Sequence, residues 1–177
     1  MDSHGSAPGQ ALGNGVASDH AGSQHHVWVG GVGATGDGRD DYRNELNTFG
    51  YIVEIDPYNK TSAIKKRSAL GRFAHESAAF GKRIAGKPLA VYMGDDSRGE
   101  YIYKFVSRDK IAPGGAKANR ELLDHGILYV ARFDADGRGQ WLPLVHGQGP
   151  LVAANGFADQ GEVVIKARQA SDALKAT

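Results

Sequence analysis

The sequence predicts an all-β protein that ends in a single helix. Short apolar runs rich in β-branched and aromatic residues recur along the chain, and turn residues separate them. The 25 glycines among 177 residues are about twice the average usage of roughly 7%, and many lie between these runs, where tight turns would be. Only the last segment changes to helical spacing. A sandwich, a barrel and a propeller all fit such a series of short strands.

The N-terminal region predicts a flexible arm followed by the folded domain. Residues 1–26 are rich in Gly, Ser, Ala and His and contain almost no large apolar side chain, so they cannot offset their ordering entropy. We therefore expect an arm over 1–26 and a domain over 27–177. The first strand candidates are residues 27–29, residues 49–55 and, after a turn with proline, the more polar residues 63–70.

Five further runs continue the series of predicted strands. The run at 101–106 is the most β-like, because it combines aromatic and β-branched residues. An Asp-Gly pair at Asp136-Gly137 predicts a hairpin turn between the last two runs. The predicted strands span residues 73–80, 89–93, 101–106, 127–133 and 140–145.

The C-terminal segment predicts a helix over residues 159–174. Its apolar residues recur at intervals of three and four, which places them on one helical face: Val163, Ala167, Ala170 and Leu174. Asp159 followed three residues later by Glu162 resembles a capping box and predicts the start of the helix.

Composition excludes several classes of function. The net charge of +1 gives no field that would attract nucleic acid or an acidic membrane surface. The chain has no cysteine, which excludes disulfides, thiolate metal sites and cysteine nucleophiles. No apolar stretch approaches the roughly 20 residues of a membrane span, and no signal peptide is recognisable near Met1.

Two short clusters contain the residue types that phosphate and metal chemistry require. The first spans residues 71–77 and includes His75 and Glu76. The second spans 92–101 and contains three carboxylates and one arginine in its turn: Asp95, Asp96, Arg98 and Glu100. Hard cations bind carboxylate oxygens, and an arginine beside them can bind phosphate through two hydrogen bonds. A solvated charge cluster on an exposed turn is the alternative, and the spacing leaves both open.

Four ordered segments resemble the PhoX-type alkaline phosphatase family. They read YIVEIDPYNKTSAIKKRSALGRFAHESAAF, KPLAVYMGDDSRGEYIYKFVS, GILYVARFDADGRGQWLPLVHG and ANGFADQGEVVIKARQASDALKAT. The resemblance implies a six-bladed β-propeller whose central site holds iron and calcium ions and hydrolyses phosphate monoesters. It also implies export to the periplasm or beyond. On this basis we expect a partial β-propeller, two to three blades of a six-bladed type, with a C-terminal helix.

The resemblance also implies roles for individual residues. Arg98 matches the arginine that grips phosphate, Glu100 matches a metal-ligating glutamate, and Glu76 is a further expected ligand of Ca²⁺ or Fe³⁺. For His75 two interpretations stay open: it orients a ligand, or it is a packed or solvated histidine. The family's site uses a bridging cysteine, which this chain lacks, and family members continue beyond the last helix with further ligands. We therefore expect part of one metal site.

Two functions follow from this comparison. The first is a metal-dependent phosphomonoester hydrolase that is incomplete as a single chain. The second is a non-catalytic propeller fragment that binds metal or associates, either with itself or with a complementary propeller chain. In both, the expected partners include neither nucleic acid nor a membrane.

Overall fold

A computed structural model describes residues 45–176 of the chain. The chain divides into two compact units, residues 1–49 and 50–177. In the first unit, Glu45–Thr48 form one turn of 3-10 helix. The predicted arm over 1–26 and the predicted strand over 27–29 lie outside the described residues. All strands and α-helices considered below belong to the second unit.

Two antiparallel sheets form the second unit. In the smaller sheet, β1 (Val53–Glu54) pairs with β2 (Lys65–Lys66). The larger sheet has five strands in chain order, each hydrogen-bonded to the next: β3 (Ala79–Phe80), β4 (Pro88–Gly94), β5 (Ile102–Lys110), β6 (Gly126–Phe133) and β7 (Gly139–Pro143). A single helical turn, α1 (Gly115–Ala118), interrupts the connection from β5 to β6. This order is an up-and-down meander, in which consecutive strands are spatial neighbours.

One face of the five-stranded sheet packs into the hydrophobic core. Alternate residues of β4 and β5 are buried there because successive side chains of a strand point to opposite faces. The members from these strands are Leu89, Val91, Met93, Tyr103 and Phe105. Residues from the loop before β3 and from the C-terminal segment complete the same core: Leu70, Phe73, Val163, Ala167 and Ala170.

The predicted C-terminal helix is present but divided in two. It consists of α2 (Gln160–Ile165) and α3 (Ala167–Ala173), with Lys166 between them at φ −102° and ψ 40°. In an unbroken helix the carbonyl of Val164 would accept from the amide of Arg168; here it accepts from the amide of Arg72 at 2.9 Å. The β-branched run from Val163 to Ile165 also has weak helix propensity. The predicted cap is confirmed, since Asp159 accepts from the amide of Glu162 at 2.9 Å.

The strand predictions were accurate in the second half of the chain and too long in the first. Within 49–55 and 63–70 only β1 and β2 are strands, and within 73–80 only β3 is. The backbone between them bonds to non-adjacent segments instead: the amide of Arg67 donates to Ile52 and that of Phe73 donates to Gly50. The fold is thus mostly β, and the described residues form no closed barrel. The presence of two to three propeller blades, which the family resemblance implies, remains a prediction.

No helix within residues 45–176 is both long enough and apolar enough to cross a membrane.

Candidate functional site

The two clusters found in the sequence lie next to each other in the structure. The loop between β4 and β5, residues 95–101, is called the site loop below. His75 and Asp95 form an isolated antiparallel bridge. The amide of Glu76 donates to the carbonyl of Gly94 at 3.1 Å, and the amide of Asp96 donates to the carbonyl of Ala74 at 2.9 Å. The site loop is therefore attached by its backbone to the segment that carries Glu76.

Internal hydrogen bonds give the site loop a defined shape. The amide of Asp95 donates to the carbonyl of Tyr101 at 3.0 Å and closes the loop at its base. The amide of Ser97 donates to the Asp95 carboxylate at 3.1 Å, and the amide of Glu100 donates to the carbonyl of Ser97 at 3.2 Å. Gly99 has φ 76°, a conformation that glycine adopts without strain.

A forked ion pair holds the base of the site loop from the C-terminal helix. Arg168 of α3 donates to both carboxylate oxygens of Asp95, from Nε at 2.7 Å and from Nη2 at 2.8 Å. The same Nη2 donates to Ser97 Oγ at 2.9 Å. The Arg168 side chain is 6% exposed and that of Asp95 is 0% exposed. This is the planar, two-bonded arrangement in which arginine binds carboxylates most specifically.

The same helix also holds the C-terminal end of the site loop. The Tyr101 hydroxyl donates to Asp172 Oδ1 at 2.5 Å. Behind it, the Ser171 hydroxyl donates to Tyr103 Oη at 3.3 Å, and burial raises the pKa of Tyr103. A buried tyrosine with a raised pKa keeps its proton. Helix α3 thus contacts the loop at both of its ends.

Arg98 and Glu100, two of the three predicted site residues, lie on the site loop. Arg98 is exposed, and within residues 45–176 its guanidinium has no hydrogen bond or ion pair with another side chain. Glu100 is half-buried, with Oε2 at 3.6 Å from Arg168 Nε. Glu100 is therefore next to the forked pair, whereas the guanidinium of Arg98 is accessible to a ligand from solvent.

Glu76, the third predicted residue, lies beside Asp96. A hydrogen bond to Asp96 and its negative charge raise the pKa of Glu76. Two carboxylates this close repel each other unless a proton or a cation lies between them. Both side chains are exposed, so a cation could reach the pair from solvent. The structure thus places Glu76, from the first sequence cluster, beside Asp96, from the second.

The carboxylates supply part of a metal site at most. Hard cations such as Ca²⁺ take about 6–8 oxygen ligands. Among the described residues, no group of three or more His, Cys, Asp or Glu is arranged to hold a metal ion. The donor type of Glu76 and Asp96 therefore fits a hard cation, and the number of donors falls short.

His75 contributes to packing in this structure. Its ring lies 3.7 Å from the ring of Phe73 between centroids, and Nε2 donates to the carbonyl of Gly71 at 3.1 Å. Burial lowers its pKa, so the neutral form is favoured. His75 therefore packs against Phe73 and is hydrogen-bonded to the Gly71 backbone.

Sequence reasoning missed Arg168 and Asp172. They are separated from Asp95 and Tyr101 by 73 and 71 residues, so no local pattern pairs them. The available signal was weak: the two lie four residues apart, at the edge of the apolar face of the predicted helix.

Comparison with known proteins gives two matches. A family model described as alkaline phosphatase PhoX matches residues 13–177. Among solved structures, the chain is similar to Pseudomonas fluorescens PhoX in complex with vanadate, a transition state analogue, with 55% identity and a TM-score of 0.73. That match covers 80% of this chain and 26% of the other, so the chain spans about a quarter of the matched protein. No curated protein matches the chain.

Proposed function

The chain belongs to the PhoX alkaline phosphatase family, and we propose that it forms part of a metal-dependent phosphomonoester hydrolase. The observation that carries this proposal is the accessible guanidinium of Arg98 on a loop whose base is fixed by a buried ion pair. A fixed loop with an available cationic fork is suited to binding a phosphate group. Because the chain spans a quarter of the matched protein, we propose that residues from elsewhere complete the site.

Arg98 is the proposed phosphate-binding residue. Its guanidinium can donate two parallel hydrogen bonds to phosphate oxygens, which orients the phosphate as well as attracting it. The loop conformation limits where this guanidinium can go, since Ser97 and Glu100 on either side are hydrogen-bonded to the rest of the loop. Arg98 would therefore bind and orient the ester.

Glu76 and Glu100 are the proposed metal ligands, for Ca²⁺ or Fe³⁺. Carboxylate oxygens suit both ions, and the closeness of Glu76 to Asp96 supports cation binding at the first of these positions. Bound there, such ions would draw charge from the phosphoryl oxygens. The described residues supply too few ligands to hold such an ion by themselves. The remaining ligands would come from residues outside the described part of the chain.

The proposed location is the periplasm or the exterior of the cell. This proposal rests on the family membership alone. The proposed partners are phosphate monoesters, with neither nucleic acid nor a membrane among them, in keeping with the near-zero net charge.

Hydrolysis of p-nitrophenyl phosphate in the presence of Ca²⁺ and Fe³⁺ tests the proposed activity. We expect turnover in a preparation that also supplies the residues completing the site, and a loss of about 100-fold or more in Arg98→Ala, as for other single charge-stabilising donors. Arg108→Ala is the matched control, because Arg108 is an exposed arginine beside an aspartate, Asp109, near the opposite end of β5 from the site loop. Equal activity of the two variants would contradict the role of Arg98.

An exposed apolar sheet face supports the second candidate function, a non-catalytic module that associates through this face. On the side of the five-stranded sheet away from the core, large side chains remain exposed: Tyr92 (42%), Ile102 (48%), Ile127 (40%), Phe133 (65%) and Trp141 (37%). Lys104 lies among them, its Nζ 4.4 Å from the centroid of the Trp141 ring. Contiguous apolar surface of this kind commonly marks a protein contact, and a second sheet packs on such a face at about 10 Å.

Sedimentation velocity distinguishes the two candidates. We expect self-association of the chain to weaken in Trp141→Ser, with Tyr58→Ser as the control, since Tyr58 is 97% exposed and lies outside this sheet. Association and metal binding without turnover would favour the module. Turnover that is lost in Arg98→Ala would favour the enzyme.

A further inference from the structure

We propose that Arg168 is a positioning residue, through which helix α3 fixes the site loop and so the place of Arg98 and Glu100. Its effect on phosphate binding rests on the proposed function. Its effect on the loop conformation does not, and can be measured separately. Arg168 itself would touch neither the ester nor a metal.

The contacts of Arg168 span the base of the loop. Its guanidinium donates to both oxygens of Asp95 and to Ser97 Oγ, with distances from 2.7 to 2.9 Å. The Asp95 carboxylate also accepts from the amide of Ser97. These four hydrogen bonds together fix the backbone path immediately before Arg98.

The burial of Arg168 and Asp95 disfavours other conformations of the site loop. The Arg168 side chain is 6% exposed and that of Asp95 is 0% exposed. If the loop moved away from α3, the buried Asp95 carboxylate would lose its ion pair with Arg168, which is strongly unfavourable. Other loop conformations are therefore rare as long as the pair is intact.

The second attachment comes from the same helix. Asp172, one turn beyond Arg168, accepts from the Tyr101 hydroxyl at 2.5 Å. Both ends of the seven-residue loop are therefore held by one rigid element, and Arg98 lies between the two attachments. A change at Arg168 removes the side-chain attachment at the Asp95 end and leaves the Tyr101 attachment in place.

The positive charge of Arg168 alone does not explain its hydrogen bonds to Asp95 and Ser97. Lysine carries the same charge as arginine but cannot form two parallel bonds to one carboxylate while also reaching a third acceptor. Arg168→Lys therefore removes the geometry and keeps the charge, whereas Arg168→Met removes both.

Hydrogen exchange of the loop amides tests the proposal. In Arg168→Lys we expect at least tenfold faster exchange at the amides of Ser97 and Glu100, and unchanged exchange at Leu128 in β6. Arg108→Lys is the matched control, because Arg108 also donates a fork to an aspartate, Asp109, at 3.2 and 3.0 Å on the surface. It should leave the loop amides unchanged. If Arg168→Met does not fold, Asp95→Asn releases the same contact.

Binding of inorganic phosphate, measured by calorimetry with Ca²⁺ and Fe³⁺ present, tests the functional consequence. We expect Arg168→Lys to weaken binding by about 10- to 100-fold, the usual effect of losing a residue that orients a ligand-binding group, and Arg168→Met to weaken it further. Loop exchange and phosphate affinity that both match the wild type in Arg168→Lys would overturn the proposal. Faster loop exchange in a chain whose wild type binds no phosphate would support the positioning and contradict phosphate binding by Arg98 in this chain.

Discussion

Asp124→Asn is a test of the polar junction that joins the two sheets. The side chain of Arg67, which directly follows β2, is 1% exposed and contacts three groups. It donates to Glu54 of β1 at 2.6 and 2.9 Å, to Asp124 just before β6, and to the carbonyl of Arg120 at 2.6 Å. Lys65 also donates to Asp124 at 3.0 Å. Asparagine keeps the shape of Asp124 and removes its charge.

The burial of the Arg67–Asp124 ion pair sets the expected loss of stability. Removing one partner of a buried ion pair costs about 3–5 kcal/mol. Glu54 remains bound to Arg67, and the Asp124 side chain is 27% exposed, so part of the loss is compensated. We therefore expect the free energy of unfolding to fall by about 2–3 kcal/mol, between the buried and the exposed limits.

Urea unfolding followed by far-ultraviolet circular dichroism measures this change. Asp109→Asn is the matched control, because Asp109 pairs with Arg108 where both side chains are more than half exposed, at 55% and 64%. That pair should contribute less than about 1 kcal/mol. If the two variants unfold within about 0.5 kcal/mol of each other, the reasoning about burial is refuted.

Three further predictions follow from local features. Burial acts to raise the pKa of Asp124, but hydrogen bonds with Glu121, Lys65 and Arg67 outweigh it and hold that pKa below its ordinary value. The folded state therefore binds fewer protons than the unfolded state below about pH 4–5, and the fall in urea midpoint from pH 7 to pH 3 should be shallower in Asp124→Asn than in the wild type. Gly126→Ala would place a Cβ at 2.3 Å from the carbonyl oxygen of Val106, so we expect a loss of more than about 2 kcal/mol by the same assay. Gly81→Ala, whose nearest contacts are at 3.4 Å, should change stability by less than about 1 kcal/mol. Asp159→Ala should lower the thermal midpoint through the loss of about 1 kcal/mol of capping, and Asp159→Ser should restore most of it; an equal loss in both would show that the cap is not the cause.

The strands β4 to β6 could be predicted because the burial of their side chains follows an alternation that is visible in the local sequence. Residues of these strands alternate between buried and exposed positions, and the sequence shows that alternation directly. The segment from 49 to 80 is different, because its amides bond to partners distant in the chain, such as Arg72 to Val164. The same bond divides the C-terminal helix. Periodicity carries no information about such partners.

The candidate site likewise has features that the local sequence shows and features that depend on contacts between distant segments. The sequence indicated the loop with Arg98 and Glu100, because charges concentrated in a turn are visible locally. It did not indicate that Glu76 would be beside Asp96, or that Asp95 would be paired with Arg168. Both depend on how strands and helices pack, which a single sequence does not state.

The distance between Asp95 and Arg168 along the chain has a consequence for biosynthesis. The loop leaves the ribosome some 73 residues before the arginine that secures it. Contacts between distant parts of a chain form late, because a long segment must first be closed. The β4–β5 hairpin can thus form while translation continues, and its charged turn reaches its final geometry only after helix α3 has been made.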